Sequence, residues 1–231
     1  SQFGYATKGA ALSLLARFEL YNKNYPEVIR LTTEIMSLGY QLHPNYAQLF
    51  TEAAEQSAEV VFSVRFIQDQ SNNGETFSST FLGIPKVNVQ PMPNMVNAYL
   101  CIDGLPITTS PLYKPAKRNE NRDPRLAASV YFEGDIFVQH LNRPFRGNTA
   151  TKFGLKKYVR DNISAEGIDI FAAGGQDFYV IRYAEVLLMR SEALAETGQI
   201  AEAIKLLDQL RTRAKMPTVT AVHGSTLPQD E

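Results

Sequence analysis

Apolar positions recur at three- and four-residue spacing in four stretches of this chain, and each stretch has the period of a helix. Over residues 8–22, Ala11, Leu14, Leu15 and Phe18, with Tyr21 or Asn22, fall on one side. Between about Pro26 and Ser37, Val28, Leu31 and Ile35 form a stripe. Near the other end, Ile181, Ala184, Leu188, Ser191 and Ala195 form a third. Ile200, Ala203, Ile204, Leu207, Leu210 and Ala214 form the fourth. The punctuation agrees with the periods. Asn22-Lys23-Asn24 is a polar turn, and Pro26 suits a first helical position. Gly39 and Gly198 stand where a left-handed residue would close a helix. Pro217 stops the last one because proline has no N–H to continue the ladder.

The four helices therefore pair into two antiparallel hairpins, and the hairpins resemble each other. Tyr25, Glu27, Ile29, Arg30, Leu31 and Ile35 align without gaps on Ile200, Glu202, Ile204, Lys205, Leu206 and Leu210. Leu12 falls on Leu187 at the same offset. Small residues (Ala184, Ser191, Ala195, Ala203) sit where helices would approach closely. One hairpin cannot bury its own apolar face, so similar hairpins stack. The predicted fold is mainly α, with tetratricopeptide-like hairpins at about 8–38 and 178–216. A long loop-rich insertion at about 39–177 and a few short strands complete a single domain over residues 1–231. Within the insertion, Val60, Phe62 and Val64 alternate with Val61, Ser63 and Arg65, a half-buried strand pattern.

From Ile67 to Leu82 the chain turns polar, with Phe66, Phe77 and Phe81 set among Asn, Gln, Ser and Thr. Two readings apply. The loop is pinned to the core by its aromatics, or it is a ligand platform. A sugar ring presents an apolar face and a hydroxyl rim. It is matched by flat aromatic surface and by side chains that both donate and accept. The platform reading selects Phe66, Asn72, Asn73, Phe77 and Phe81 as ligand-binding residues; the absence of Trp counts against it. Residues 83–120 are proline-rich, with a short helix at Asn94–Leu100 and a turn at Asp103-Gly104. Asp123 before Pro124 is a helix start, and Arg122 and Arg125 would pair with that aspartate or with loop carbonyls. Residues 161–177 read as a glycine-containing loop and 218–231 as a loose tail.

Composition narrows the function classes. The 231 residues are 44% hydrophobic and 20% charged, with a net charge of −1. That suits a core-forming globular chain and gives no global field toward nucleic acid. The basic cluster at residues 143–160 comes without any nucleic-acid motif, so no nucleic-acid partner is expected. The lone Cys101 excludes an internal disulfide and a multi-cysteine metal site. His43, His140 and His223 are isolated, so no metal site is expected. No nucleophile elbow or phosphate loop occurs, and no catalytic residue or cofactor is assigned. No apolar run is long enough to span a bilayer, and no signal peptide is present; Ser1 reads as the start of a fragment.

Several ordered motifs carry a family resemblance. "RYAEVLLMRSEALAETGQIAEAIKLLDQLRTRAKMP" resembles the closing helical repeat of the SusD/RagB family, with Arg211, Arg213, Ala214 and Pro217 matching. Lys215 stands where that family usually has Gly, and Asp208 where it usually has Asn. The region from Lys8 to Phe66 is similar to its middle repeat, including Tyr46, Leu49 and Phe50 and the strand from Glu59 to Val64. Met95–Tyr99, Asp103-Gly104 and the Arg122–Leu126 run "RDPRL" match in order, as does "TATKFGLKKYV". The resemblance spans about Lys8 to Pro217, the C-terminal portion of the family's chain. It implies a surface-exposed lipoprotein of a Bacteroidetes-type outer membrane. Such a protein captures oligosaccharide and delivers it to a SusC-like TonB-dependent transporter, without catalysis. A peptide-binding member of the same family and a helical-repeat protein–protein interaction scaffold are the alternatives. Exposed aromatics in the 66–82 loop would favour the first reading; buried ones with an exposed apolar groove on the hairpins would favour the scaffold.

Overall fold

The computed structural model describes residues 5–68, 73–81, 89–138, 142–147, 150–160 and 173–226. In chain order the elements are α1 (Lys8–Tyr21), α2 (Tyr25–Met36), β1 (Val60–Val64), α3 (Phe77–Phe81), α4 (Pro93–Ala98) and α5 (Pro124–Ser129). They continue with β2 (Val130–Tyr131), β3 (Ile136–Val138), β4 (Arg143–Pro144), β5 (Gly154–Leu155), β6 (Phe178–Arg182), α6 (Tyr183–Glu196), α7 (Ile200–Arg213) and α8 (Val219–His223). The protein is mainly helical, at 42% helix and 11% strand. The chain groups into two compact units. The first comprises Ser1–Asn45, Gln56–Val64 and Phe178–Glu231, and the second Tyr46–Glu55 and Arg65–Asp177.

In the first unit the two hairpins are copies of each other in fine detail. Helix α1 starts at Lys8 and α6 at Tyr183; they end at Tyr21 and Glu196; α2 and α7 start at Tyr25 and Ile200. The turns close with the same hydrogen bonds. Asn22, Lys23 and Asn24 donate backbone N–H to Phe18, Leu20 and Glu19, and Thr197, Gly198 and Gln199 donate to Ala193, Ala195 and Leu194. The turn needs one left-handed residue, and it is Lys23 (φ 58°) in one copy and Gly198 (φ 79°) in the other. The hairpins share one apolar core. Val28, Leu31 and Ile35 from α2, Val186 and Leu187 from α6 and Ala203 from α7 are fully buried in it, and Leu206 and Leu210 of α7 are nearly so. Each of these valine, leucine and isoleucine side chains contributes about 1.5–3 kcal/mol.

Two stripes differ from the expectation. On α1 the predicted stripe faces solvent: Leu14, Leu15 and Phe18 are 45%, 42% and 60% exposed. The buried side of α1 is made of Gly9, Ala10, Ser13 and Ala16, with Leu12 and Leu20 packed partly buried against the core. Small residues there permit close approach; a Cβ on Gly9 would lie 2.7 Å from the Tyr40 ring. On α6, Leu188 is exposed while Tyr183, Val186, Met189 and Leu194 are buried, so the helix is covered on more than one side. Ile181 belongs to β6, which pairs antiparallel with β1.

A buried carboxylate ties this unit together. Glu59 is fully buried and accepts from Arg182 (2.5 Å), Arg213 (2.9 Å) and the backbone N–H of His43 (2.6 Å). It thereby joins β1, the start of α6, the end of α7 and the loop after α2. Lys215, where a glycine was expected, takes the left-handed conformation at φ 60°. Asp208 accepts from Val219 N–H (2.6 Å) and Thr220 Oγ1 (2.7 Å) and so anchors α8, with Val219 fully buried. Residues 219–223, expected in a loose tail, are thus a capped helix.

In the second unit short elements enclose two aromatic-rich clusters. Val96, Leu126, Val130, Phe132 and Phe153 form one, and Tyr131, Phe145 and Val159 the other, with Phe81 and Phe137 packed on the latter. The predicted helix at Asn94–Leu100 is α4. The Asp123-Pro124 start is realised at α5, where Asp123 accepts from Arg125 N–H (2.8 Å) and pairs with its guanidinium (2.6 Å). Buried Arg122 donates to the carbonyls of Val96 (2.8 Å), Tyr99 (2.7 Å) and Arg118 (2.8 Å), pinning the irregular proline-rich region.

Candidate functional site

The second unit holds a cavity of about 570 Å³, inside the size range of small-ligand sites. Three pieces of chain build it. The 3₁₀ turn at Gln48–Phe50 supplies Gln48, Phe50 and Thr51; the first turns of α5 supply Pro124, Ala127 and Ala128; and the segment after β5 supplies Lys156, Lys157, Tyr158 and Val159. The last segment is held in place by a hydrogen bond from Lys156 N–H to Ser129 O (2.9 Å) and closes with Val159 N–H on Lys156 O (3.2 Å).

At the centre of that segment Tyr158 has φ 66°. A bulky non-glycine residue in the left-handed region is uncommon and is held there by its surroundings. Those surroundings are rings. Tyr158 meets Phe50 edge-on at 5.2 Å and Phe77 at 5.7 Å, and Phe77 meets Phe66 at 5.8 Å and Phe81 at 5.7 Å. The Lys157 ammonium lies 4.2 Å from the Phe50 ring centre and 5.2 Å from that of Tyr46. A cation over a ring face is attracted by the ring's quadrupole. Among the described residues lining the cavity, the wall offers aromatic and methyl surface, two ammonium groups, an amide at Gln48 and hydroxyls at Thr51 and Tyr158, and no Asp, Glu, His or Cys. Such a wall can stack, donate and accept; it lacks the side chains that general acid–base chemistry uses most.

The residues selected from the sequence are placed as follows. Phe66, Phe77 and Phe81 are brought together, half-buried and packed ring against ring. Asn73 is exposed, and its carbonyl accepts from Ile67 N–H (3.1 Å). Asn72 lies outside the described residues. Phe77 links this trio to Tyr158, and none of the three is among the described residues lining the cavity. Tyr158 was missed in the sequence because a left-handed tyrosine leaves no periodic signal. Lys157 was read only as one of a basic cluster. In that cluster Arg160 is also buried, 3.8 Å from Glu75.

Two carboxylates outside the cavity are held close in chain contact. Glu55 Oε1 accepts from Asp177 N–H (2.7 Å), while the Asp177 carboxylate accepts from Phe66 N–H (3.1 Å) and pairs with Arg65 (2.9 Å). Burial pushes the Glu55 carboxyl up to about 7, and the Asp177 charge adds to the rise. Among the described residues no group of three or more His, Cys, Asp or Glu side chains could hold a metal ion. No helix among them is long and apolar enough to cross a membrane.

Tetratricopeptide-like hairpins in one unit and a loop-built aromatic cavity in the other define a mainly α helical-repeat protein. Residues 58–226 match the SusD family, and the chain belongs to it, corresponding to the C-terminal part of the family. It is 26% identical to a SusD-like protein of Formosa agariphila over 96% of this chain and 45% of the relative. Among solved structures it is similar to a SusD-like carbohydrate-binding protein of Bacteroides fragilis, with a TM-score of 0.79, 28% identity, 96% of this chain and 47% of that one covered. A second Bacteroides fragilis SusD-like structure matches with a TM-score of 0.76 and 25% identity over 95% of this chain and 49% of that one. The chain thus spans about half the length of the relatives it matches.

Proposed function

We propose that this chain is the ligand-holding part of a surface glycan-binding protein and that the cavity beside Tyr158 contacts the sugar. The observation that carries the reading is Tyr158 itself, an aromatic side chain in a left-handed backbone at the wall of a cavity whose described lining residues include no carboxylate. A pyranose would lie against the Tyr158 and Phe50 edges with its hydroxyls toward Gln48, Thr51 and Lys157. Phe77 supports the Tyr158 ring, Phe66 and Phe81 pack on Phe77, and Asn73 stands in the exposed loop nearby in sequence. Support also comes from the carbohydrate-binding description of the Bacteroides fragilis relative. In this reading binding is an equilibrium and no bond is made or broken. The glycan passes to a SusC-like TonB-dependent transporter, and the protein sits at the outer-membrane surface as a lipoprotein. Both units would form parts of one SusD-like domain.

The test is a glycan and peptide array on the full-length protein, repeated with the Gln48→Ala/Lys157→Met double variant. Both positions border the cavity without lying in the core, so folding, checked by circular dichroism, should survive. A hydrogen bond involving a charged group is worth ~1.5–3 kcal/mol. Loss of about tenfold or more in affinity for the selected glycan is therefore expected. Unchanged affinity in the folded variant removes the cavity from the proposal.

A further inference from the structure

The turn that carries Tyr158 also decides what charge the cavity presents. In an extended chain, neighbouring side chains point to opposite faces. After β5 the chain turns instead. The turn is closed by Val159 N–H on Lys156 O (3.2 Å), and left-handed Tyr158 is the third of its four residues. Lys156 and Lys157, adjacent in sequence, both line the same cavity, and both are half-buried. Their ammonium groups are set differently. That of Lys157 lies against two rings, Phe50 at 4.2 Å and Tyr46 at 5.2 Å. That of Lys156 lies 5.2 Å from the Tyr131 ring centre and makes no ion pair among the described residues. Lys8, Lys114, Lys117 and Lys205, by contrast, each pair with a glutamate at the surface. A half-buried charge gives up part of its hydration, and only a counter-charge compensates for that in full.

We propose that the sugar bound here carries an oxyanion, the carboxylate of a uronic acid or a sulfate ester, and that Lys156 selects it. The inference rests on the reading of this cavity as the glycan site and narrows its substrate class. The flexible four-carbon stem of Lys156 lets the ammonium leave the Tyr131 ring and meet an anion in the cavity. A ring quadrupole is a weaker partner for an ammonium than a full negative charge. The attraction is also stronger at a half-buried position than in bulk water, because the effective dielectric is lower. Nothing in the described wall opposes an anion, since it includes no Asp or Glu. The net charge of the chain is −1, so the whole molecule does not draw anions and the preference is local to this wall. A neutral pyranose stacks equally well on Tyr158 and Phe50 but leaves the Lys156 charge unanswered. Selectivity is that difference.

The experiment measures affinities by isothermal titration calorimetry on the full-length protein. The probes are the neutral glycans laminarin, xylan and galactomannan, the uronate polymers polygalacturonate and alginate, and the sulfated polymer carrageenan. Each anionic probe is paired with its carboxyl-reduced or desulfated form, which shows the oxyanion that is read. At least one anionic probe should bind about tenfold or more tighter than its neutralised form, the scale of one hydrogen bond between charged groups. That preference should narrow as salt is raised. Lys156→Gln, with its fold checked by circular dichroism, should lose most of the preference. Lys156→Arg should keep it, a rescue that a packing role alone would not produce. Binding of neutral probes only, weakened by Gln48→Ala/Lys157→Met, overturns the oxyanion and leaves the cavity as the glycan site. An anionic preference that Lys156→Gln leaves unchanged overturns the proposal. Binding of no probe, or binding indifferent to Gln48→Ala/Lys157→Met, overturns the cavity reading and this inference with it.

Discussion

Replacing Glu59 by glutamine should destabilise the hairpin unit severely, although the change is nearly isosteric. The Glu59 side chain is fully buried, Arg213 is 7% exposed and Arg182 is 23% exposed. One carboxylate therefore neutralises two guanidinium groups and also accepts the His43 N–H. Glutamine keeps one acceptor oxygen. Its NH₂ must then point at a donor, whether a guanidinium or the His43 N–H. Breaking a buried pair by removing one partner costs ~3–5 kcal/mol. Arg182 can regain some hydration, so we expect a net loss of about 2–4 kcal/mol. Urea unfolding followed by helical circular dichroism measures it. The denaturant slope should be unchanged, because the same surface is exposed on unfolding. Adding Glu59→Gln to Arg213→Met should cost less than the sum of the single changes, since each change removes one side of the same ion pair. A Glu59→Gln loss under about 1 kcal/mol would refute the reasoning, because a buried pair broken at that cost would not be holding four elements together.

The equivalent turn positions give a matched pair. Lys23→Gly should gain about 0.5–1 kcal/mol and Gly198→Ala lose about 1 kcal/mol in thermal unfolding, as both sites are left-handed. Glu55 gives a pH signature. Its folded-state pKa of about 7 lies above the ordinary carboxylate value, so the folded form binds more protons between pH 4.5 and 7. Stability from this group is present below pH 4.5 and is lost as pH rises to about 7; Glu55→Gln, which can still accept the Asp177 N–H, should flatten that slope in a melting-temperature series. Phe77→Ala should lower the melting temperature, since its ring meets Phe66, Phe81 and Tyr158; weaker glycan binding with unchanged stability would instead make Phe77 a direct contact. Gly174→Ala should fail to fold normally in the second unit, because a Cβ there would lie 2.6 Å from the Arg160 guanidinium carbon and would also run into the Glu75 carboxylate.

The helical hairpins were legible because their signal is local. The α2 stripe Val28, Leu31 and Ile35 is buried as its spacing predicts, and the Asp123-Pro124 start caps α5 as expected. On α1 the period was right, but periodicity does not say which side meets a partner. A face of Gly9, Ala10, Ser13 and Ala16 buries by closeness of approach, with little hydrophobic signal of its own. The Glu59 knot was invisible because its partners lie 123 and 154 residues away, even though each stood in a recognised motif. The phenylalanines of the 66–82 loop were visible as residues but not as an orientation. Polar neighbours place a loop at the surface, and a ring within it can still turn inward. Tyr158 depends on φ, which no spacing encodes.

The most direct test of the account is the crystal structure of the full-length protein soaked with the oligosaccharide the array selects. A sugar ring is expected against Tyr158 and Phe50, with its hydroxyls within hydrogen-bond distance of Gln48 or Lys157. A fully occupied sugar elsewhere, with the cavity beside Tyr158 empty, would contradict it.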